Sequence, residues 1–153
     1  MTNNFINDIK IRDKIVNYIK DLFKEVNQYI ILKYFNNINS NDISTKNSND
    51  DFVSIADKKS EELICKRLLG FLNVKKFIGE EASYLNNKQY ITLLNEPLVW
   101  VVDPIDGTKN YINGKDTFCS MISLVSFSIP IATFIYYPLK NIYVYGFKGF
   151  GAY

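Results

Sequence analysis

An α/β fold made of two long helices and a sheet is predicted by three features of this chain. Apolar residues recur at three- and four-residue spacing in two stretches of the first half, and short runs rich in β-branched and aromatic residues fill the second. Carboxylates cluster where two of the short runs end. Ligands of mixed α/β proteins gather at such strand ends, so the third feature places the chemistry.

The elements follow in chain order. Ile15, Ile19, Leu22 with Phe23, Val26 and Ile30 form one apolar stripe, so residues 7–35 read as a long amphipathic helix. Residues 36–51, rich in Asn, Ser and Asp, read as a mobile loop that contains Lys46. A second helix is expected from Ser54 to about Leu72, with Ile64, Leu68 and Phe71 on one face. Residues 74–78 read as a short strand leading into Gly79-Glu80-Glu81, and residues 98–102 as another leading into Asp103. Residues 86–97 form a polar connector. A short helix is expected after Thr108, followed by strands at 118–125, 131–137 and 142–147, whose Tyr and Phe side chains suit a pleated core surface. Neither an internal repeat nor a second domain is visible, so residues 1–153 read as one domain.

Composition excludes several functions. A chain of 153 residues with 47% apolar content, including 11 Phe and 11 Tyr, can build a sizeable core. Its 18 basic and 16 acidic residues are interspersed, which argues against a nucleic-acid polymer as partner. It contains no histidine, so imidazole bases and Ser-His or Cys-His nucleophiles are absent and any base must be a carboxylate, a lysine or a metal-bound hydroxide. Cys65 and Cys119 lack CxxC spacing and read as reduced core thiols. The N-terminus has no apolar core of a secretory signal, and a cytoplasmic location is expected. Residues 117–139 carry no charge, but their Ser and Thr residues and Pro130 suit two buried strands better than a membrane span.

The chemistry is concentrated in Asp103-Pro104-Ile105-Asp106-Gly107-Thr108. Aspartates three apart point to opposite faces of a regular strand, but a turn supplied by Pro104 and Gly107 would aim both at one point. Two unit charges of like sign 4 Å apart cost about 4 kcal/mol at an effective dielectric near 20, and a cation reverses that sign. Read with Lys46, Asp51, Asp57 and Gly79-Glu80-Glu81, the string resembles the inositol monophosphatase family of magnesium-dependent, lithium-sensitive phosphatases, with all three blocks in order and at matching spacing. The resemblance extends to Gly149-Phe150-Gly151-Ala152, similar to a segment near the family's midpoint. The family's later Trp-Asp-x-Ala-Ala-Gly motif is not in this sequence.

The resemblance implies a layered αβαβα sugar-phosphatase-like sandwich, of which this chain would be the truncated N-terminal portion: two long helices on a mixed, largely antiparallel sheet. It implies magnesium or manganese as cofactor, held by Glu80, Asp103, Asp106 and the main-chain carbonyl of Ile105. Thr108 and Asp57 would activate a water, with Glu81 bearing on that water, while Gly107, Thr108 and Lys46 would serve the substrate phosphate. The implied reaction is in-line hydrolysis of a small phosphorylated metabolite, such as an inositol phosphate, without a phosphoenzyme. Lys109, Asn110 and Gly114 also resemble the histidinol-phosphatase and 3'(2'),5'-bisphosphate nucleotidase branches. The alternative to an enzyme is a catalytically inactive or partner-binding fragment. In either case a homodimer or a separately encoded C-terminal half is the partner expected to cover apolar strand surface, and no membrane is expected. Plainer readings exist for single residues: Ser54 and Asp57 as a helix cap, Glu80 and Glu81 as a solvated pair, Asp106-Gly107 as a turn dipeptide, and Lys46 as a loop lysine.

Overall fold

Asp8 opens the first helix, its carboxylate accepting the Lys10 N–H at 2.8 Å, and α1 then runs over Ile9–Val26. The computed structural model describes residues 5–46, 51–84 and 92–153. Ile15, Ile19, Leu22, Phe23 and Val26 of α1 are buried, and each such side chain contributes about 1.5–3 kcal/mol of hydrophobic stabilisation. The expected helix over residues 7–35 is not uniform. A π-turn at Asn27–Ile31 precedes a last α-turn at Leu32–Tyr34. The widened turn is tied to the rest of the molecule: Tyr111 Oη donates to the Ile31 carbonyl at 2.8 Å, and Asn27 Nδ2 donates to Tyr136 Oη at 3.1 Å.

Residues 36–51 hold more order than their composition suggests. Strand β1 (Ile43–Thr45) pairs antiparallel with β2 (Phe52–Ser54), so that Lys46 follows directly on a hairpin strand; residues 47–50 lie outside the described residues. Helix α2 (Ile55–Leu68) begins where expected and stops short of Leu72. Gly70 at φ 85° and Leu72 at φ 57° turn the chain out of the helix.

A six-stranded sheet follows in the order β3 (Phe77–Gly79), β4 (Val99–Asp106), β5 (Cys119–Ser126), β6 (Ile129–Tyr137), β7 (Ile142–Phe147) and β8 (Gly151–Ala152). Only β3 and β4 run parallel, so the sheet is mixed and largely antiparallel, as expected. Two short helices, α3 (Glu80–Tyr84) and α4 (Thr108–Ile112), start at the ends of β3 and β4. The stretch 117–139 forms the β5–β6 hairpin, closed by Phe127 and Ser128 at φ 46° and 64°, and no helix among the described residues is long and apolar enough to cross a membrane. Of the connector at 86–97, residues 86–91 lie outside the described residues, and 92–94 form a helical turn.

The sheet's two faces differ. Trp100, Val102, Ile122, Leu124, Phe134 and Tyr136 enter the main core with α1 and α2, and Phe23 stacks on Tyr136 at 5.4 Å. On the opposite face Ile78, Val99 and Val125 form a small second core with Leu93 and Leu94, while Ile142 and Val144 of β7 are exposed. Most aromatic residues of the last third are core as expected, Phe127 and Tyr153 being exposed. Replacing Tyr111 by Phe deletes the donor to the π-turn carbonyl of Ile31. It is expected to lower unfolding free energy by about 1–3 kcal/mol, seen as a lower denaturant midpoint at unchanged slope; an unchanged midpoint would contradict this role for the bond.

Candidate functional site

The two aspartates converge through a bulge and not through the expected turn. Strand β4 continues to Asp106, and its register on β5 shifts: Asp103 opposes Met121 while Asp106 opposes Cys119. Three steps along β4 match two along β5, and the extra residue sends both carboxylates to the same side of the sheet. Pro104 fits because a bulge frees its position from donating to the ladder. Ser120 Oγ clamps the distortion by donating to the Pro104 carbonyl at 2.7 Å, and the Cys119 thiol sits 3.7 Å from Asp106 Oδ2.

Gly107 then turns the chain into α4. Its φ of 93° favours glycine, and a Cβ there would lie 3.0 Å from the Thr117 carbonyl. Thr108 follows, its hydroxyl 2.9 Å from Asp57 Oδ1 and 3.1 Å from the Ile105 carbonyl. Asp57 meets it from the first turn of α2. Its Oδ2 accepts from the Ser54 amide at 2.8 Å and the Ser54 hydroxyl at 2.5 Å, while Ser54 Oγ caps the helix in return. Asp57 thus makes the capping contact with Ser54 through one carboxylate oxygen and the contact with Thr108 through the other. Burial pushes the Asp57 carboxyl up, against the hydrogen bonds from Ser54 and Thr108 that hold it down.

Glu80 and Glu81 open α3 at the end of β3. Lys46 bridges them, with Nζ 2.7 Å from Glu80 Oε1 and 2.8 Å from Glu81 Oε1. Burial opposes the lysine's charge, but the two carboxylates outweigh it and raise its pKa. Burial pushes Glu81 up to about 7 in spite of Lys46. Asp103 rises to about 8, first through burial and then through the charge and hydrogen bond of Glu80 and the charges of Asp106 and Asp57. Glu80, Asp103, Ile105, Asp106, Gly107 and Thr108 line one cavity of about 240 Å³, joined by Asp51, Phe52 and Lys109. Lys46 and Glu81 line instead a larger neighbouring hollow of about 450 Å³ beside Cys65 and Phe77, which neither Asp103, Asp106 nor Thr108 lines.

All the residues singled out in the sequence thus fall in or beside one place. Asp57 reaches it through Thr108, and Lys46 and Glu81 through their contacts with each other and with Glu80. The donor set suits a hard divalent cation: it is all oxygen, and Asp103 Oδ1 is buried without a hydrogen-bond partner. Among the described residues no three Asp, Glu or Cys side chains are already gathered tightly enough to ligate an ion, and Lys46 supplies the nearby positive charge. Two contributors escape sequence inspection. Ser120 reads as an ordinary strand serine, and Glu61 as a charge in the middle of a helix. Yet Glu61 is buried, and its two carboxylate oxygens accept the amides of Glu81 at 2.7 Å and Ala82 at 2.9 Å.

Fold and site together define an α/β protein with helices on a mixed sheet and an acidic hollow of about 240 Å³ at the ends of β3 and β4. The chain belongs to the inositol monophosphatase family, whose model matches residues 12–153. It is 35% identical over 124 residues to a fructose-1,6-bisphosphatase/inositol-1-monophosphatase of Aquifex aeolicus, covering 81% of this chain and 44% of the relative. It is 38% identical over 103 residues to inositol monophosphatase 1 of Solanum lycopersicum, covering 67% and 37% respectively. The chain thus spans less than half the length of these curated relatives. Among solved structures, the extragenic suppressor protein suhB of Bartonella henselae aligns with a TM-score of 0.71 at 25% identity, over 92% of this chain and 51% of that one. An inositol monophosphatase/NADP phosphatase solved with NADP and Ca2+ has the same fold, with a TM-score of 0.74 at 22% identity over 92% and 50%.

The raised carboxyls dictate a pH dependence. Because Glu81 and Asp103 titrate near 7 and 8 in the native state, the folded chain binds protons that the unfolded chain has already released above about pH 4.3. Stability of the metal-free protein is therefore expected to fall as pH rises from about 4 through 8. Melting temperatures recorded in chelator at pH 5, 6.5 and 8 should decline in that order; a steady climb would contradict the placement of these carboxyls.

Proposed function

We propose that this chain carries the cation- and phosphate-binding part of a metal-dependent phosphomonoesterase that acts on a small phosphorylated metabolite, such as an inositol phosphate. The observation that carries this reading is the convergence of Asp103 and Asp106 on one face beside Gly107 and Thr108, with Thr108 hydrogen-bonded to Asp57. Glu80, Asp103, Asp106 and the Ile105 carbonyl would hold magnesium or manganese. When bound, the cation would neutralise phosphoryl charge and lower the pKa of the attacking water.

The chain's own groups have defined tasks. The Thr108 hydroxyl both donates and accepts, so it can accept from a water while it donates to Asp57. Asp57, pushed up by burial and fixed by Ser54, is suited to receive proton density from that hydroxyl as the water attacks. The new P–O bond forms from the water oxygen, whose proton passes by way of Thr108 to Asp57 and then to solvent, and the ester P–O bond breaks in line with it, the departing oxygen taking a proton from solvent and leaving as the alcohol. Gly107 and Thr108 line the hollow and offer their amides to phosphate oxygens. Lys46, paired with Glu80 and Glu81, provides positive charge beside the acidic cluster.

Phosphate release from inositol, histidinol, sugar and nucleotide monophosphates, measured with magnesium and with chelator, tests the proposal. Turnover that requires magnesium is expected, and it would also identify the substrate branch. Absence of release from every substrate by folded protein would overturn the enzymatic reading in favour of the non-catalytic one. Asp103→Asn is expected to abolish turnover. Thr108→Ala is expected to lower kcat by roughly 10²–10⁴-fold, and Thr108→Ser to restore much of it; full activity in Thr108→Ala would remove the hydroxyl from the mechanism.

A further inference from the structure

The Gly-Glu-Glu string is held by a residue that the proposed reaction does not use. Glu61 lies one helical turn beyond Asp57 on α2 and is 6% exposed. Its carboxylate takes the amides of Glu81 and Ala82, two of the free donors at the start of α3. A helix of five residues has little stability of its own, so an external carboxylate at its start decides how it is seated.

Gly79 makes this contact sterically feasible. It does not have a left-handed φ, so backbone conformation does not call for glycine. Space does: a Cβ at Gly79 would lie 2.3 Å from the Glu61 carboxyl carbon and 2.5 and 2.6 Å from its two oxygens. The glycine before the paired glutamates is thus the clearance through which Glu61 reaches the α3 amides.

We infer that Glu61 is a positioning residue that seats α3 through the Glu81 and Ala82 amides, so that Glu80 presents its carboxylate to the cation, with Gly79 as its steric counterpart. The inference rests on the cation-binding reading above. Glu61 itself does not touch the hollow lined by Asp103 and Thr108. Its seating of the glutamates passes through the backbone of α3, beside a through-space charge interaction with Glu80 and Lys46.

The test is Mn2+ binding by the 153-residue chain, followed by electron paramagnetic resonance and needing no turnover. Removing a group that orients metal ligands characteristically weakens binding 10–100-fold, so Glu61→Ala is expected to raise the Mn2+ dissociation constant about tenfold or more. Glu61→Gln keeps one acceptor oxygen in the same shape and is expected to fall between. Gly79→Ala should weaken binding similarly by displacing the intact Glu61. The double variant Gly79→Ala/Glu61→Ala should bind about as Glu61→Ala alone, because the clash has gone with the carboxyl. Cys65→Ala, one turn further on the same helix and equally buried, reports generic loosening of α2 and should stay within about twofold of wild type.

Mn2+ affinity unchanged in folded Glu61→Ala or Glu61→Gln would overturn the positioning role, as would full multiplication of the two single effects in the double variant or a Cys65→Ala loss as large as that of Glu61→Ala. A wild-type chain that binds no Mn2+ would overturn the cation reading itself. That result is distinct from Mn2+ binding that is indifferent to Glu61.

Discussion

Burial is the largest influence raising the proton affinity of Asp57, Glu81 and Asp103, and the charges of Asp57 and Glu80 add to it at Glu81 and Asp103. At an effective dielectric near 20, each like-charged contact at about 4 Å opposes folding by roughly 4 kcal/mol. Lys46 offsets part of this by pairing with both glutamates. The remainder is met by retained protons in the metal-free state and, in the proposed function, by a divalent cation. Elements that would otherwise be incidental make sense under that constraint. The β4 bulge, the hairpin that delivers Lys46 and the two short helices exist where they do because they bring repelling groups together.

Helix α2 carries most of that burden. Asp57 and Glu61 stand four residues apart and so share a helix face, yet they serve different partners. Asp57 closes the capping box with Ser54 and takes the Thr108 hydroxyl, which ties the helix to the loop after β4. Glu61 takes the amides of α3, which ties the same helix to the loop after β3. Beneath them Ile64 and Leu68 anchor α2 in the main core. The two site loops, separate in sequence, are thereby referred to one rigid body, which is how carboxylates on different strands can be placed with respect to each other.

What was legible in the sequence follows from the range of the interactions involved. The stripe from Ile15 to Ile30 and the aromatic strands were readable because their periodicity is local, and the metal-type carboxylates because the family strings are short and contiguous. Misreadings arose where a distant partner decides. The π-turn at Asn27–Ile31 is bonded to Tyr111 and Tyr136, far away in the chain. The order of Ile43–Thr45 depends on pairing with Phe52–Ser54 across an Asn- and Ser-rich stretch. The Asp103 to Asp106 geometry was attributed to a turn because Pro and Gly mark turns, whereas register against β5 produced a bulge. Glu61 was illegible for the same reason, since a single glutamate in a helix looks solvated until the amides it meets are known.

In the proposed function, the residues brought together would meet the part common to all phosphate esters. Amides, carboxylates and a hydroxyl around a hollow of about 240 Å³ suit a cation and a phosphoryl group, which every substrate of this chemistry shares. Groups that would distinguish one alcohol from another must contact the leaving group, beyond the phosphoryl oxygens. Among the described lining residues only Lys109 and Phe52, at the rim, lie outside the proposed catalytic and metal-binding strings without being acidic. In the proposed function, the local strings at the ends of β3 and β4 would therefore carry chemistry common to many phosphomonoesters, and relatives of this chain are named for fructose bisphosphate and for inositol phosphate. Discrimination between alcohols would then rest on surface outside these strings.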